Sequence, residues 1–242
     1  MQRRSIGSLY SNRPMERILI TGAGGYIGSN AAEYFVRNGY AVTGMAHEHV
    51  CDRFRQCGAE TINADLRVPA SLDAIFALRD YDYVLHIAAL ASDVGKDDDF
   101  RVSNYEGTKQ LASLAMRHGV KRFVYLSTAD VYGLHDFNGE SEDALSFDIS
   151  ANNPYPKYKI KSEQWLADNI PTENFSCVRP CVVFGNGDTT ITPRTVSYIR
   201  NSLLSSISAN GKGVTAGRWR MSRMSAAHSM PRCCCQKRRA KA

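Results

Sequence analysis

The segment Thr21-Gly22-Ala23-Gly24-Gly25-Tyr26-Ile27-Gly28 constrains the fold more than any other stretch of this chain. It follows a short apolar run, Arg17 to Thr21, and it opens a stretch from Tyr26 to Asn38 that reads as a helix stopped at Gly39. A glycine turn between a buried strand and a helix lets backbone N–H groups meet an anion with no side chain in the way. Gly22 permits the tight turn, Gly25 lets the backbone approach a phosphate, and Gly28 lets the helix pack closely on the strand. Tyr26 and Ile27 follow at the helix start. The spacing is G-x-x-G-x-x-G rather than G-x-G-x-x-G, so the strand and helix on either side carry much of the weight.

The rest of the chain repeats that alternation. Strands are expected at Ala41–Met45, Glu60–Ala64, Tyr83–Ala89, Arg122–Ser127 and Phe175–Arg179. Helices are expected at Ser71–Leu78, with Ser71 as N-cap, at Asn104–His118, closed by Gly119, and at Tyr155–Asn169. Such alternation implies a parallel sheet with helices on both faces, an α/β doubly wound fold. Residues 1–14 read as a disordered basic leader, with Met15 as a candidate start. Residues 15–192 read as the Rossmann-type domain, and 193–242 as the remnant of an incomplete C-terminal substrate lobe with a basic tail.

The formal net charge of +6 is concentrated near the two ends of the chain, so it reads as solvated tails and not as a nucleic-acid surface. No apolar run is long enough to span a bilayer, and no secretory pattern follows the basic N-terminus. Seven cysteines are present without a metal-ligand spacing, which favours incidental thiols in a reducing compartment. No metal site and no membrane or nucleic-acid partner is expected, and the cytoplasm is the expected location. Lys96 and the acidic run Asp97 to Asp99 read as a solvated loop after the fourth strand.

Tyr155 and Lys159 are four residues apart on an expected helix and so share one face. A free phenol has a pKa near ~10, and a nearby ammonium is expected to lower it into a useful range. Tyr158 has no such partner, since four residues on it meets Ser162.

Taken in order, TGAGGYIG at Thr21, ADL at Ala64, HIAA at His86, NYEGT at Asn104, YLSTADVYG at Tyr125, NPYPKYK at Asn153 and RPCVVFGNGD at Arg179 resemble the extended short-chain dehydrogenases/reductases, also called the NAD-dependent epimerase/dehydratase family. The resemblance runs from about Arg17 to Thr192. It implies that Tyr155, Lys159 and Thr128 are catalytic, with Thr128 set by alignment on Val131-Tyr132-Gly133 and Ser127 as the runner-up. It implies that Lys159 also reaches the nicotinamide ribose. It places Asp65 and Leu66 near the adenine, Ala88 and Ala89 along the cofactor, and Asn104 at a helix start behind the nicotinamide, where it would also serve as N-cap.

NAD or NADP is the implied cofactor. No acid ends the second strand, and His47 stands where relatives that prefer NADP often carry Arg, with Arg53 and Arg55 just beyond; the balance leans to NADP. The implied function is NAD(P)-dependent hydride transfer at a secondary alcohol or ketone, of a hydroxysteroid-dehydrogenase-like or oxo-acyl-reductase-like kind, on a small-molecule substrate. The alternatives are a nucleotide-sugar epimerase/dehydratase and a non-catalytic NAD(P)-binding protein. Relatives often dimerise through two helices of this domain, which leaves the oligomeric state open with a homodimer as one option. Beyond Gly211 the periodicity is lost. Read one base earlier, that tail can give His-Val-x-Asp-Val and a leucine-rich helix, which points to a frameshift between about Arg200 and Met221 and to weak turnover by the chain as it stands.

Overall fold

The computed structural model describes residues 15–47, 50–92, 94–133, 139–141, 145–148, 153–185, 187–189 and 191–208. The basic leader and the tail from residue 209, with its suspected change of reading frame, lie outside them.

Six strands form one parallel sheet: β1 (Arg17–Thr21), β2 (Ala41–Ala46), β3 (Glu60–Asn63), β4 (Tyr83–His86), β5 (Arg122–Leu126) and β6 (Phe175–Val178). Their order is β3-β2-β1-β4-β5-β6, and every pair is parallel. The order reverses between β1 and β4, which opens a crevice at the carboxyl edge where the glycine turn leaves β1. The expected doubly wound α/β fold is observed.

Helices cover both faces. Ile18, Ile20 and Val42 point to one side, where they bury Ala32 of α1 (Tyr26–Arg37) and Phe54 of α2 (Asp52–Gln56). Leu19, Val84, Phe123 and Tyr125 point to the other. There they meet Leu72, Ile75 and Phe76 of α3 (Pro69–Leu78), and Leu111 and Ala115 on a later helix. Apolar residues on both faces of the central strands, β1 above all, are the signature of a sheet buried on both sides. Gly44 in β2 is required by this packing, because a Cβ there would sit 2.0 Å from the ring of Phe54.

Three expected boundaries are corrected. β4 ends at His86 and not at Ala89, because the amides of Ile87 and Ala88 turn to the Thr21 hydroxyl at 3.1 and 3.0 Å instead of a neighbouring strand. Ser71 is not the cap of α3: Val68 is, Pro69 opens the helix, and Ser71 bonds back to the backbone of Asp65. The helix expected from Asn104 begins earlier, as α4 (Asp97–Phe100), passes through a π-helical turn (Arg101–Glu106) and continues as α5 (Gly107–Arg117). Asn104 is therefore interior to a helix and caps nothing. Three aspartates in the first turn of α4 complement the helix dipole, which an apolar periodicity does not register.

α6 (Pro154–Asn169) packs against β6 and against a 3-10 turn, Ala129–Tyr132, that follows β5. The chain divides into two compact units between Val183 and Phe184. Within the second, α7 (Ile191–Ser208) begins where the Asp188 carboxylate accepts from the amides of Ile191 and Thr192 at 3.1 and 2.6 Å.

Candidate active site

At the carboxyl edge of β1 the three glycines do different work. Gly22 has φ +72°, and a Cβ there would lie 2.9 Å from the Ala88 amide nitrogen. A Cβ on Gly28 would lie 2.2 Å from the Gly22 carbonyl oxygen, so only glycine lets α1 seat against the turn. Gly25 is exposed, and a Cβ there would meet only the Gly22 oxygen, at 3.4 Å. The packing of the chain does not demand glycine at 25. What glycine preserves is a bare approach to the start of α1, which has no side-chain cap and no acid in its first turn. Tyr26 and Ile27, both half-buried, begin that turn. The positive end of a helix with unshielded amides fits the pyrophosphate of a dinucleotide.

Behind the turn lies a buried hydrogen-bond chain. Thr21 Oγ1 accepts from the amides of Ile87 and Ala88, so its proton goes to Nδ1 of His86, 2.7 Å away. Nε2–H of His86 then donates to Thr108 Oγ1 at 2.8 Å, and Thr108 donates to the Asn104 carbonyl. Burial, with the Lys159 charge nearby, drives the imidazole pKa down to about 3. The Asn104 side chain brackets Leu90, accepting from its amide at 2.7 Å and donating to its carbonyl at 3.0 Å. This chain fixes Ala88 beside the glycine turn.

At the ends of β2 and β3, His47, Asp65 and Arg67 converge. Asp65 Oδ2 lies 3.0 Å from His47 Nε2 and 2.6 Å from the Arg67 guanidinium, which holds the carboxyl below its usual range. A carboxylate from the segment after β3 thus stands beside His47. Arg53 faces elsewhere, toward Asn30 and Glu33 of α1. The Leu66 side chain is buried against Gly107, which leaves only its backbone for the sheet edge.

Asn153 caps α6, its Oδ1 accepting from the Tyr155 amide at 3.0 Å, and Pro154 opens the helix. Lys159, one turn on, is 2% exposed. Its ammonium donates to the Leu126 carbonyl at the end of β5 (2.7 Å), 4.6 Å from the Tyr125 ring centroid and 5.8 Å from that of Tyr155. Thr128 caps the 3-10 turn, Oγ1 accepting from the Asp130 amide at 3.2 Å. Val131 and Tyr132 of that turn pack on Ile160 of α6, which brings Thr128's turn onto the helix of Tyr155 and Lys159. Ser127 Oγ is buried without a partner among the described residues.

The electrostatics correct one expectation. The Tyr155 phenol is not made more acidic; it is pushed up to about 12, by burial first and by the Asp130 carboxylate second. The Lys159 ammonium is engaged by a carbonyl, and burial brings its own pKa down to about 8 despite the opposing pull of Cys177 and Glu163.

Several contacts here escape a reading of the sequence. Asp97 is exposed, as expected, and its carboxylate also takes Lys157 Nζ at 2.7 Å and the Tyr158 hydroxyl. Tyr158 therefore serves α4, while its carbonyl receives Ser162. The buried Glu163 pairs with the half-buried Arg179. Among the described residues no group of His, Cys, Asp or Glu could hold a metal, no helix is long and apolar enough to cross a membrane, and Cys51, Cys57, Cys177 and Cys181 are free thiols.

Residues 18–216 match the model of the NAD dependent epimerase/dehydratase family. The chain is 29% identical over 191 residues to a 2-alkyl-3-oxoalkanoate reductase of Stenotrophomonas maltophilia, covering 78% of this chain and 57% of the relative. It is 30% identical over 174 residues to a UDP-glucose 4-epimerase of Bacillus subtilis, covering 65% and 49%. The fold is shared with the Bordetella bronchiseptica enzyme WbmH, solved in complex with NAD+: the TM-score is 0.67 at 24% identity, over 78% of this chain and 64% of that one. The chain spans about half the length of the curated relatives it matches. With the glycine turn, the strand order and the model match in agreement, this chain belongs to the NAD-dependent epimerase/dehydratase family.

Proposed function

We propose that the chain binds NAD(P) across the carboxyl edge of β1, β2 and β4 and serves reversible hydride transfer on a nucleotide sugar, as an epimerase does. The observation that carries this is the meeting of Lys159, on the helix of Tyr155, with the last carbonyl of β5, two residues before Thr128. The nucleotide sugar is suggested by the UDP-glucose 4-epimerase relative. Gly22, Gly25, Tyr26, Ile27 and Gly28 would hold the pyrophosphate; Asp65, Leu66 and His47 the adenosine half; Ala88, Ala89, Asn104, Tyr155 and Lys159 the nicotinamide half. A bound dinucleotide supplies a hydride acceptor and, once reduced, a donor.

The chain's own residues handle the proton. With its pKa near 12, Tyr155 is protonated at neutral pH and is a donor to the oxygen of a substrate carbonyl. Thr128 Oγ1 already accepts from an amide, so its own proton is left for that same oxygen. Lys159, charged below about pH 8, stabilises the phenolate left behind. In the oxidative direction Tyr155 first releases its own proton to solvent, and the phenolate, held beside the Lys159 ammonium, then takes the proton of the substrate hydroxyl as the hydride leaves.

The lean towards NADP stays within this proposal and now rests on His47 and Arg67 in place of Arg53. A second reading, net reduction of a ketone, is favoured by the match to the 2-alkyl-3-oxoalkanoate reductase. A panel of UDP-sugars and 3-oxoacids, each with NAD and NADP, separates the two. Sugar interconversion without net change in nicotinamide absorbance supports the epimerase. Stoichiometric oxidation of NAD(P)H by an oxoacid supports the reductase and overturns it.

A further inference from the structure

We propose that Glu163 and Arg179 form a positioning device for the candidate catalytic groups: they tie the helix of Tyr155 and Lys159 to the turn capped by Thr128, and the Glu163 carboxylate is the counter-charge that lets Lys159 enter the interior as an ammonium. The proposal rests on the proton-handling role given above to Lys159 and adds residues that no comparison singles out.

Glu163 is 4% exposed and stands four residues beyond Lys159 on α6, on the same face. The Arg179 Nε donates to its two carboxylate oxygens at 3.1 and 2.9 Å, and the guanidinium also bonds Oε2 through a second nitrogen. Its remaining arm donates to the Tyr132 hydroxyl at 2.8 Å, and the guanidinium lies 5.4 and 5.5 Å from the Tyr132 and Phe147 rings. Tyr132 is the last residue of the 3-10 turn that Thr128 caps. One guanidinium therefore joins the end of β6, the body of α6 and the turn after β5. A buried ion pair is a weak source of net stability compared with apolar residues of the same volume. Its presence here is better explained by the charge it must offset.

That charge is Lys159. The titratable groups around it are Tyr155 and Glu163 on α6, Tyr125 on β5, Cys177 on β6 and His86 on β4. Burial turns Tyr125, Cys177 and His86 toward their neutral forms at pH 7. Cys177 and Glu163 both pull the Lys159 pKa upward against burial, and Glu163 is the carboxylate of the set.

The test is the titration of Lys159 Nζ by lysine-selective NMR in the whole free chain, with the signal assigned by its loss in Lys159→Met. In Glu163→Gln the midpoint is expected to fall from about 8 by about one pH unit or more. In Arg179→Lys, which keeps both charges but loses the fork, it is expected to stay near about 8. Should Glu163→Gln not fold, Glu163→Asp draws the charge back by one methylene and is expected to give a smaller fall. An unchanged midpoint in the folded Glu163 variant, or an equal fall in Arg179→Lys, overturns the proposal. No dinucleotide or substrate enters the measurement, so failure of the hydride-transfer reading would show separately, as turnover unaffected by Lys159→Met.

Discussion

The hydroxyl of Thr21 and Nδ1 of His86 lie 2.7 Å apart, and because the same hydroxyl already receives two amides the imidazole must accept there. His86 is thereby fixed as the Nε2–H tautomer and neutral. Its pKa near 3 in the fold lies below 6.5 in the unfolded chain, so between those values the unfolded chain binds more protons and stability falls as pH falls. The loss by pH 3 is at most about 5 kcal/mol. His86→Gln should be less stable than the parent at pH 7, by about 1–3 kcal/mol for the broken chain, but should lose less on acidification. Urea unfolding at a series of pH values checks this; parallel curves would contradict it.

The glycines separate packing from ligand binding. Gly28→Ala should destabilise the fold by about 1–3 kcal/mol or more, because the added carbon meets backbone. Gly25→Ala should cost the fold no more than about 1 kcal/mol. Its dinucleotide affinity should nevertheless fall at least about tenfold, roughly 1.4 kcal/mol. Thermal unfolding and NADH fluorescence titration of both variants give the four numbers. Unchanged NADH affinity in folded Gly25→Ala would remove the pyrophosphate from the start of α1.

Lys159 titrates near 8 in the fold against 10.5 when free. Across that window the unfolded chain binds more protons, so this group makes stability rise with pH, by on the order of 3 kcal/mol. Tyr155, raised from 10 to about 12, acts the other way at higher pH. Lys159→Met should be more stable than the parent at pH 7, and the difference should shrink by pH 10. Denaturant midpoints at the two pH values check the sign.

Much of this was legible in the chain itself. β1 and α1 follow from an apolar run, three glycines and Gly39, all local signals. Tyr155 and Lys159 follow from helical spacing and the ordered motifs around them. What escaped depends on partners distant in sequence. Asp97 is exposed, as its acidic run suggests, but its partners Lys157 and Tyr158 come from the distant α6, and Asn104 looks like a cap until Leu90 is seen inside its reach. The direction of the Tyr155 pKa is hidden for the same reason: spacing shows that an ammonium is near, but not how far the phenol is buried or that a carbonyl has engaged the ammonium.

Cofactor preference turns on the His47, Asp65 and Arg67 cluster. On the NADP lean, Arg67→Gln should weaken NADP at least about fivefold more than NAD, about 1 kcal/mol, and the gap should close at high salt. Paired titrations with the two reduced cofactors decide it, and equal losses would argue for NAD.

The most direct test is whether a bound nicotinamide ring reaches Tyr155. In tyrosine-labelled protein, with the signal identified by its loss in Tyr155→Phe, NADH or NADPH should shift the Tyr155 ring resonances and give a nuclear Overhauser contact to the nicotinamide protons. Binding that leaves Tyr155 untouched, or no binding of either cofactor to the folded chain, would contradict the account.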